Sequence, residues 1–479
     1  LLRENHQSAS IILPVGATFL YDEAKMALAV HHRVMTLLVL VAAGCYGAHR
    51  EHPGDASNGT DGRTTADAAV TCGGTTCETP AATCANSSTL NTYVAGCAGG
   101  QCTSTPTEVA CGNAGCCTDH CCELTVSNAS DFGSITSTGL AVTSPDGTFD
   151  TDSQCTPTSE LGHCEVVSRS NMPEACVCRM DTLTVGSLTI TGSRALVILA
   201  AQTVEIHKLL DVSAHGGVAG PGASYTDVRT PEFNAGGVGG TFASPGGSGG
   251  SYTVIDSGTS NSDTPTAVYG NAALIPLLGG TQGETTSQSG AVVGTGGGGG
   301  GALQISAGNS ITVSGKILAG GGGGHGGYVQ KSSTQFLSAG GGGGGSGGAI
   351  LLEAPVVNVT GTVSAVGGGG GSGYLEWAFY ESNNGVDGSS GGAGGAAEIV
   401  DCPGMGGGGG GAGAKTSSAG ITGAGGQYYG FCGVDDTALY YAGGGGGGGA
   451  GRIRINTASS CGCSGTFSPT PTYATTALH

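Results

Sequence analysis

The sequence is poor in positive charge. Lys and Arg number 15 against 34 Asp and Glu, giving a formal net charge of −19 over 479 residues. So few cations cannot neutralise a row of phosphates, which argues against nucleic acid and against an anionic membrane surface held by charge. Beyond residue 45 there is no run of about 18 apolar residues, so no transmembrane helix is expected. Catalytic signatures are also missing. There is no G-x-S-x-G elbow, no H-E-x-x-H and no G-K-[ST] phosphate loop. Matches to G-x-G-x-x-G are unavoidable in polyglycine, and none stands between a strand and a helix.

Glycine and cysteine are what the chain has in excess, with 98 and 19 residues. The odd cysteine count is explained near the amino terminus. His31, His32 and Arg33 head an apolar run, Val34 to Gly44, too short to span a bilayer but suited to the core of a signal peptide. The run ends in Ala42-Ala43-Gly44-Cys45, which resembles a bacterial lipobox, although that pattern prefers Leu at the position of Ala42. Lipid on Cys45 leaves 18 cysteines, an even number. Residues 1–44 are thus upstream sequence and signal peptide, the only segment expected to be helical. Residues 45–68, small and polar, read as a lipid-anchored linker. Asp55, Asn58 and Asp61 within it lack the spacing of a calcium loop.

Residues 69–123 form an expected disulfide module. Cys72, Cys77, Cys84, Cys97, Cys102, Cys111, Cys116, Cys117, Cys121 and Cys122 crowd a segment with too little apolar surface to fold on a core alone. The alternative, a metal cluster using His120, lacks paired C-x-x-C spacing, so no metal is assigned. Residues 124–180 are a lead-in carrying Cys155, Cys164, Cys176 and Cys178. Connectivity is not readable from the sequence. Cys402 and Cys432 offer to tie one glycine-rich insert. Cys461 and Cys463 stand too close for an easy mutual bridge, so each is expected to pair elsewhere.

From residue 181 short alternating bursts replace this pattern. Leu183/Val185 and Leu188/Ile190 begin it, and a unit of strand, turn, strand, turn, short strand then recurs from Leu196, Leu303, Ile350 and Ile453. One such unit cannot hide its apolar face, whereas stacked copies bury a continuous core. The fold expected for 181–470 is all-β: a short, irregular, β-helix-like β-solenoid with long glycine-rich inserts, followed by a tail at 471–479. Five of the six longest glycine runs lie at or near a unit, a register a random linker would not keep. In polyproline II geometry, about 3.1 Å per residue, such runs can lie side by side and exchange backbone hydrogen bonds, since no Cβ keeps them apart. Flexible loops are the alternative. Arg452 and Arg454 alternate on a strand and are expected on its solvent face. His207, His215 and His325 read as surface or turn residues.

The exported part carries "CETPAATC", "GCAGGQC", "GTFDTDSQC", "ACVCRMDTLTVGSLTITGSRALVILA", "LDVSAHGG" and "GGGGGGGAGRIRINT". In this combination it resembles glycine-rich, cysteine-rich lipoproteins of myxobacteria. The glycine region is similar in composition to PE-PGRS proteins and to the glycine-rich domain of anaplastic lymphoma kinase. The resemblance implies an envelope protein of a Gram-negative bacterium and brings no activity with it. The expectation is a non-enzymatic lipoprotein with a structural or adhesive role, at the outer membrane or cell surface, the alternative location being secretion. Its partners are the membrane, through the anchor, and surface polysaccharide or other cells; no nucleic acid and no cofactor are expected. A second reading is a carbohydrate-binding module that stacks sugars on insert aromatics such as Tyr374 and Trp377. A third is a polysaccharide-degrading β-helix enzyme, which by resemblance needs a base over a calcium-binding acidic cluster.

Overall fold

The computed structural model describes residues 70–475 apart from 87, 112–114, 118, 122, 224–234, 255–257, 261–264, 266, 289–290, 329–337, 376–382, 394–404, 407–411, 417–418, 422–426, 429–439 and 459. Cys45, the signal segment, the linker, Cys122, Cys402, Cys432 and Trp377 lie outside the described residues.

Two short hairpins open the described chain, Thr71–Cys72 with Thr75–Thr76 and Thr89–Ala98 with Gln101–Ala110. Both turn on a Gly-Gly pair with positive φ, the backbone that a two-residue hairpin loop requires (58° and 89° at Gly73 and Gly74, 59° and 79° at Gly99 and Gly100). Cys72–Cys97 and Cys77–Cys102 staple one hairpin onto the other. Cys84–Cys116 and Cys111–Cys121 close the module. Cys72, Cys77 and Cys111 are buried together with Leu90, so cystine supplies most of the interior that apolar residues do not.

The remainder is built on one fifteen-stranded sheet. Two long strands, Ala175–Thr191 and Ala195–Asp211, run parallel with register shifts after Met180 and Val185. Those shifts cut each strand into three segments. Three sets of three short strands then add in parallel: 302–307, 310–313 and 316–318; 349–354, 356–359 and 362–364; 452–457, 462–463 and 466–468. The sheet curls round its inner face. Equivalent residues there stand in register: Cys176, Leu196, Leu303, Ile350, Ile453; Cys178, Ile198, Ile305, Leu352, Ile455; Leu188, Leu210, Ile317, Val363, Phe467. All of these belong to, or pack against, a single apolar core. Each fully buried Leu or Ile contributes roughly 1.5–3 kcal/mol.

The first segment of each copy is buried on its other face as well. Val197, Leu199, Ala302, Ala349 and Leu351 pack there against Phe132, Phe242, Leu274 and Leu277. Burial on both faces is why "ALVILA" (195–200) is apolar without alternation. It also corrects the place of Arg452. Its guanidinium lies over the Phe242 ring, 5.3 Å from the centroid, and donates to the Tyr269 carbonyl, so Arg452 is half-buried against these two residues instead of standing free in solvent.

The sheet takes in more than 181–470. It begins with Ala141–Ser144, Gly147–Asp150 and His163–Val167, and it ends with Thr472–Thr475 beside 452–457. A one-turn helix, Ala129–Phe132, lies among the described residues, contrary to the expectation of helix in the signal alone; it seats Phe132 in the outer core.

Candidate functional site

The inserts are where this protein departs from a plain sheet. Each leaves the end of a third strand and returns to the start of the next first strand, and the two ends touch. Gly301 N–H donates to Val212 O at 2.9 Å, Gly348 to Ala319 at 2.7 Å and Gly451 to Ala365 at 2.8 Å. An insert of any length therefore fits without disturbing the stack.

Between those ends the described glycine runs form a hydrogen-bonded bundle. Run 341–348 lies at its centre and shows a period of three. Gly341, Gly344 and Gly347 donate to Gly443, Gly446 and Gly449. Gly342, Gly345 and Gly348 donate to His325, Gly322 and Ala319, while Gly343 and Ser346 donate to Glu284 and Thr281. Its carbonyls accept on the same period: Gly341 and Gly344 from Gly237 and Gly240, Gly342 and Gly345 from Gly371 and Gly368, Gly343 and Ser346 from Gly297 and Gly300. One run thus has six neighbouring runs, three receiving and three giving. A three-residue helix without internal hydrogen bonds has its N–H and C=O groups pointing outward in that way. The runs are buried, and this lattice answers the demand that buried backbone polar groups be paired.

The lattice explains the glycines. A Cβ on Gly343, Gly344 or Gly345 would fall onto the carbonyl oxygen of Val238, Gly368 or Gly298, closer than any real Cβ contact. Polar side chains finish the edges. Asp387 Oδ1 accepts from Gly216 N–H at 2.9 Å and Gly323 N–H at 2.7 Å, and Asn384 Oδ1 accepts from Gly326 N–H at 2.8 Å. Asp387 also meets His215 Nδ1 at 3.5 Å, so His215 is an exposed turn residue with a partner in another insert.

A polar belt crosses the outer face of the sheet. Glu353, 1% exposed, accepts from Gln304 at 3.1 Å, Ser306 at 2.9 Å and Asn456 at 2.7 Å. The Ser127 hydroxyl also donates to it. Successive copies thus place their donors around one carboxylate, which docks the lead-in onto the sheet.

The acids of the first edge are held ionised by local donors. The Lys208 ammonium and the Ser187 N–H lower the pKa of Asp146. Ser153 and the Asp152 N–H do so for Asp150, and Arg194 and Ser168 for Glu174. At Asp181 burial pushes upward, but the N–H groups of Thr138 and Gly139 and the Ser137 and Thr138 hydroxyls outweigh it and leave the pKa lowered.

Of the cysteines singled out in the sequence, fourteen pair in seven described bridges. Cys155–Cys176 and Cys164–Cys178 lie side by side at the head of the inner core. The sulfurs of Cys164, Cys176 and Cys178 all fall within 4.8 Å of one another, each already engaged in a bridge. Cys461 pairs with Cys463, against expectation: both side chains turn to the core, and the backbone between them contracts to a Cα separation of 5.1 Å. The backbone of Cys117 pairs with His120. Tyr374 pairs through its backbone with Ala339 on a two-stranded ladder joining two inserts. This density of disulfides fits an oxidising, extracellular environment.

The described chain is thus an all-β, disulfide-bonded protein. No protein-family model, no curated protein and no solved structure matches it.

Proposed function

We propose that this is a cell-envelope lipoprotein with a structural or adhesive role at the outer surface, anchored through Cys45, and that its curled sheet is a short, irregular β-solenoid. The observation carrying the reading is the glycine lattice. It ties three long inserts together chiefly through backbone hydrogen bonds, with side chains such as Asp387 and Asn384 at its edges, as a structural body would need. Stacked, in-register copies with a shared core favour the solenoid. The enzyme reading is weaker, because the acids of the first edge are engaged by backbone, hydroxyl and cationic partners. Fractionation of the producing cells, with protease treatment of intact cells, tests the proposal. Recovery with the outer membrane and cleavage from outside are expected, as is acyl mass on Cys45. A soluble internal protein with unmodified Cys45 would overturn it.

A further inference from the structure

The two ends of the inner core are finished differently. At the first end Phe149, Leu161 and Met180 fill the space beside two disulfides. At the other end, past the last copy, a cavity of about 670 Å³ remains, within the range of roughly 300–1,000 Å³ typical of small-molecule sites. The Cys461–Cys463 bridge and Ala458 give it an apolar wall. Thr457, Ser460 and Thr475, which carry hydroxyls, line it, and Tyr473 stands on its lining with 52% of its surface exposed. The Thr457 hydroxyl donates to the Pro355 carbonyl at 2.9 Å, which fixes it and leaves its oxygen able to accept.

No charged side chain is among the described residues that line this cavity. An ion there would find no counter-charge among these residues. A purely apolar ligand would strand the hydroxyls. What fits is a neutral molecule with a C–H face for the tyrosine ring and hydroxyls at its edge, each able to give and take a hydrogen bond. A pyranose has that surface.

We infer that the cavity at the end of the sheet binds a neutral saccharide, with Tyr473 as the stacking platform. This gives the adhesive reading its ligand class, and it rests on that reading only for where the sugar is met.

Calorimetry on the purified full chain tests it with maltohexaose, cellohexaose and laminarihexaose, and with hexagalacturonate as the charged comparison. Binding of at least one neutral hexaose is expected. Tyr473→Ala should weaken it at least ten-fold at unchanged melting temperature, and Tyr473→Phe should keep most of it. Thr475→Arg, which puts a long charged side chain into the cavity, should abolish it. No binding of any neutral hexaose, preference for the charged one, or equal binding by Tyr473→Ala would overturn the inference. So would concentration-dependent dimers broken by Thr475→Arg, which would assign the cavity to a second copy. The surface-location reading fails by fractionation and this inference by calorimetry, so the two failures are distinguishable.

Discussion

Gly344 donates its backbone N–H to the carbonyl oxygen of Gly446 at 2.8 Å, joining the returning legs of two different inserts. The hydrogen of Gly344 that a Cβ would replace points at Gly368 O, in a third run. Gly344→Ala must therefore push run 341–348 away from the run that holds Gly368. We expect a loss of about 3 kcal/mol, the upper range for overpacking a tight interior. Gly139→Ala is the comparison, since a Cβ there meets nothing within 4 Å and only its φ of 72° is strained; about 1 kcal/mol is expected. Denaturant unfolding of both variants measures the difference. Equal, small losses would show that the runs do not pack.

Ile305 lies between Ile198 and Leu352 in the inner ladder and is fully buried. Ile305→Ala should cost about 2–5 kcal/mol. Ile305→Asp should cost more, because a carboxylate there has no partner, and its neighbours in the stack should unfold with it. Thermal melts followed by circular dichroism test both. A harmless Ile305→Asp would contradict the register.

Fourteen cysteines are paired in the seven described bridges. Alkylation of the unfolded, unreduced protein should leave all fourteen unlabelled, and reduction should expose them to mass analysis. Loss of Cys164–Cys178 alone should cost about 2–4 kcal/mol. Free thiols at Cys164, Cys176 and Cys178 with bound zinc would reverse the assignment.

Asp181 has a folded pKa below its ordinary value of 3.8. The unfolded state therefore takes up its proton first as pH falls, so its stabilisation is present above about pH 4 and lost as pH drops through the lowered value. Asp181→Asn should melt lower than the wild type at pH 7, and the gap should shrink as the pH falls below 3.8 and through the lowered folded value. A gap unchanged by pH would refute this role.

The repeats are legible because Leu303, Ile305, Ile311 and Val313 alternate with polar or small neighbours and must share a face. The preceding copy, 175–191, was harder to see as a full unit. Its first in-facing pair is Cys176 and Cys178, which hold the ladder positions of Leu196 and Ile198 but read as part of a disulfide pattern. Alternation puts Arg452 on a face without saying what covers that face, and the cover, Phe242, lies 210 residues earlier in the chain. Lattice partners such as Gly344 and Gly446 had no signature at all, since glycine carries no side chain from which pairing could be read. Tyr473 has no signature in the sequence for a related reason: the segment after the last copy is too short to show a repeat, yet it pairs with 452–457 and sets Tyr473 opposite Ile455.

The period-three bonding of run 341–348 has a mechanical consequence. In a β-sheet, interstrand bonds lie in one plane, and layers can shear past each other on side-chain contacts. Here successive residues point their bonds about 120° apart round the run. A sideways load from any direction stretches backbone hydrogen bonds, so the bundle has no cleavage plane, and its stiffness across the runs is nearly the same whichever way it is pushed.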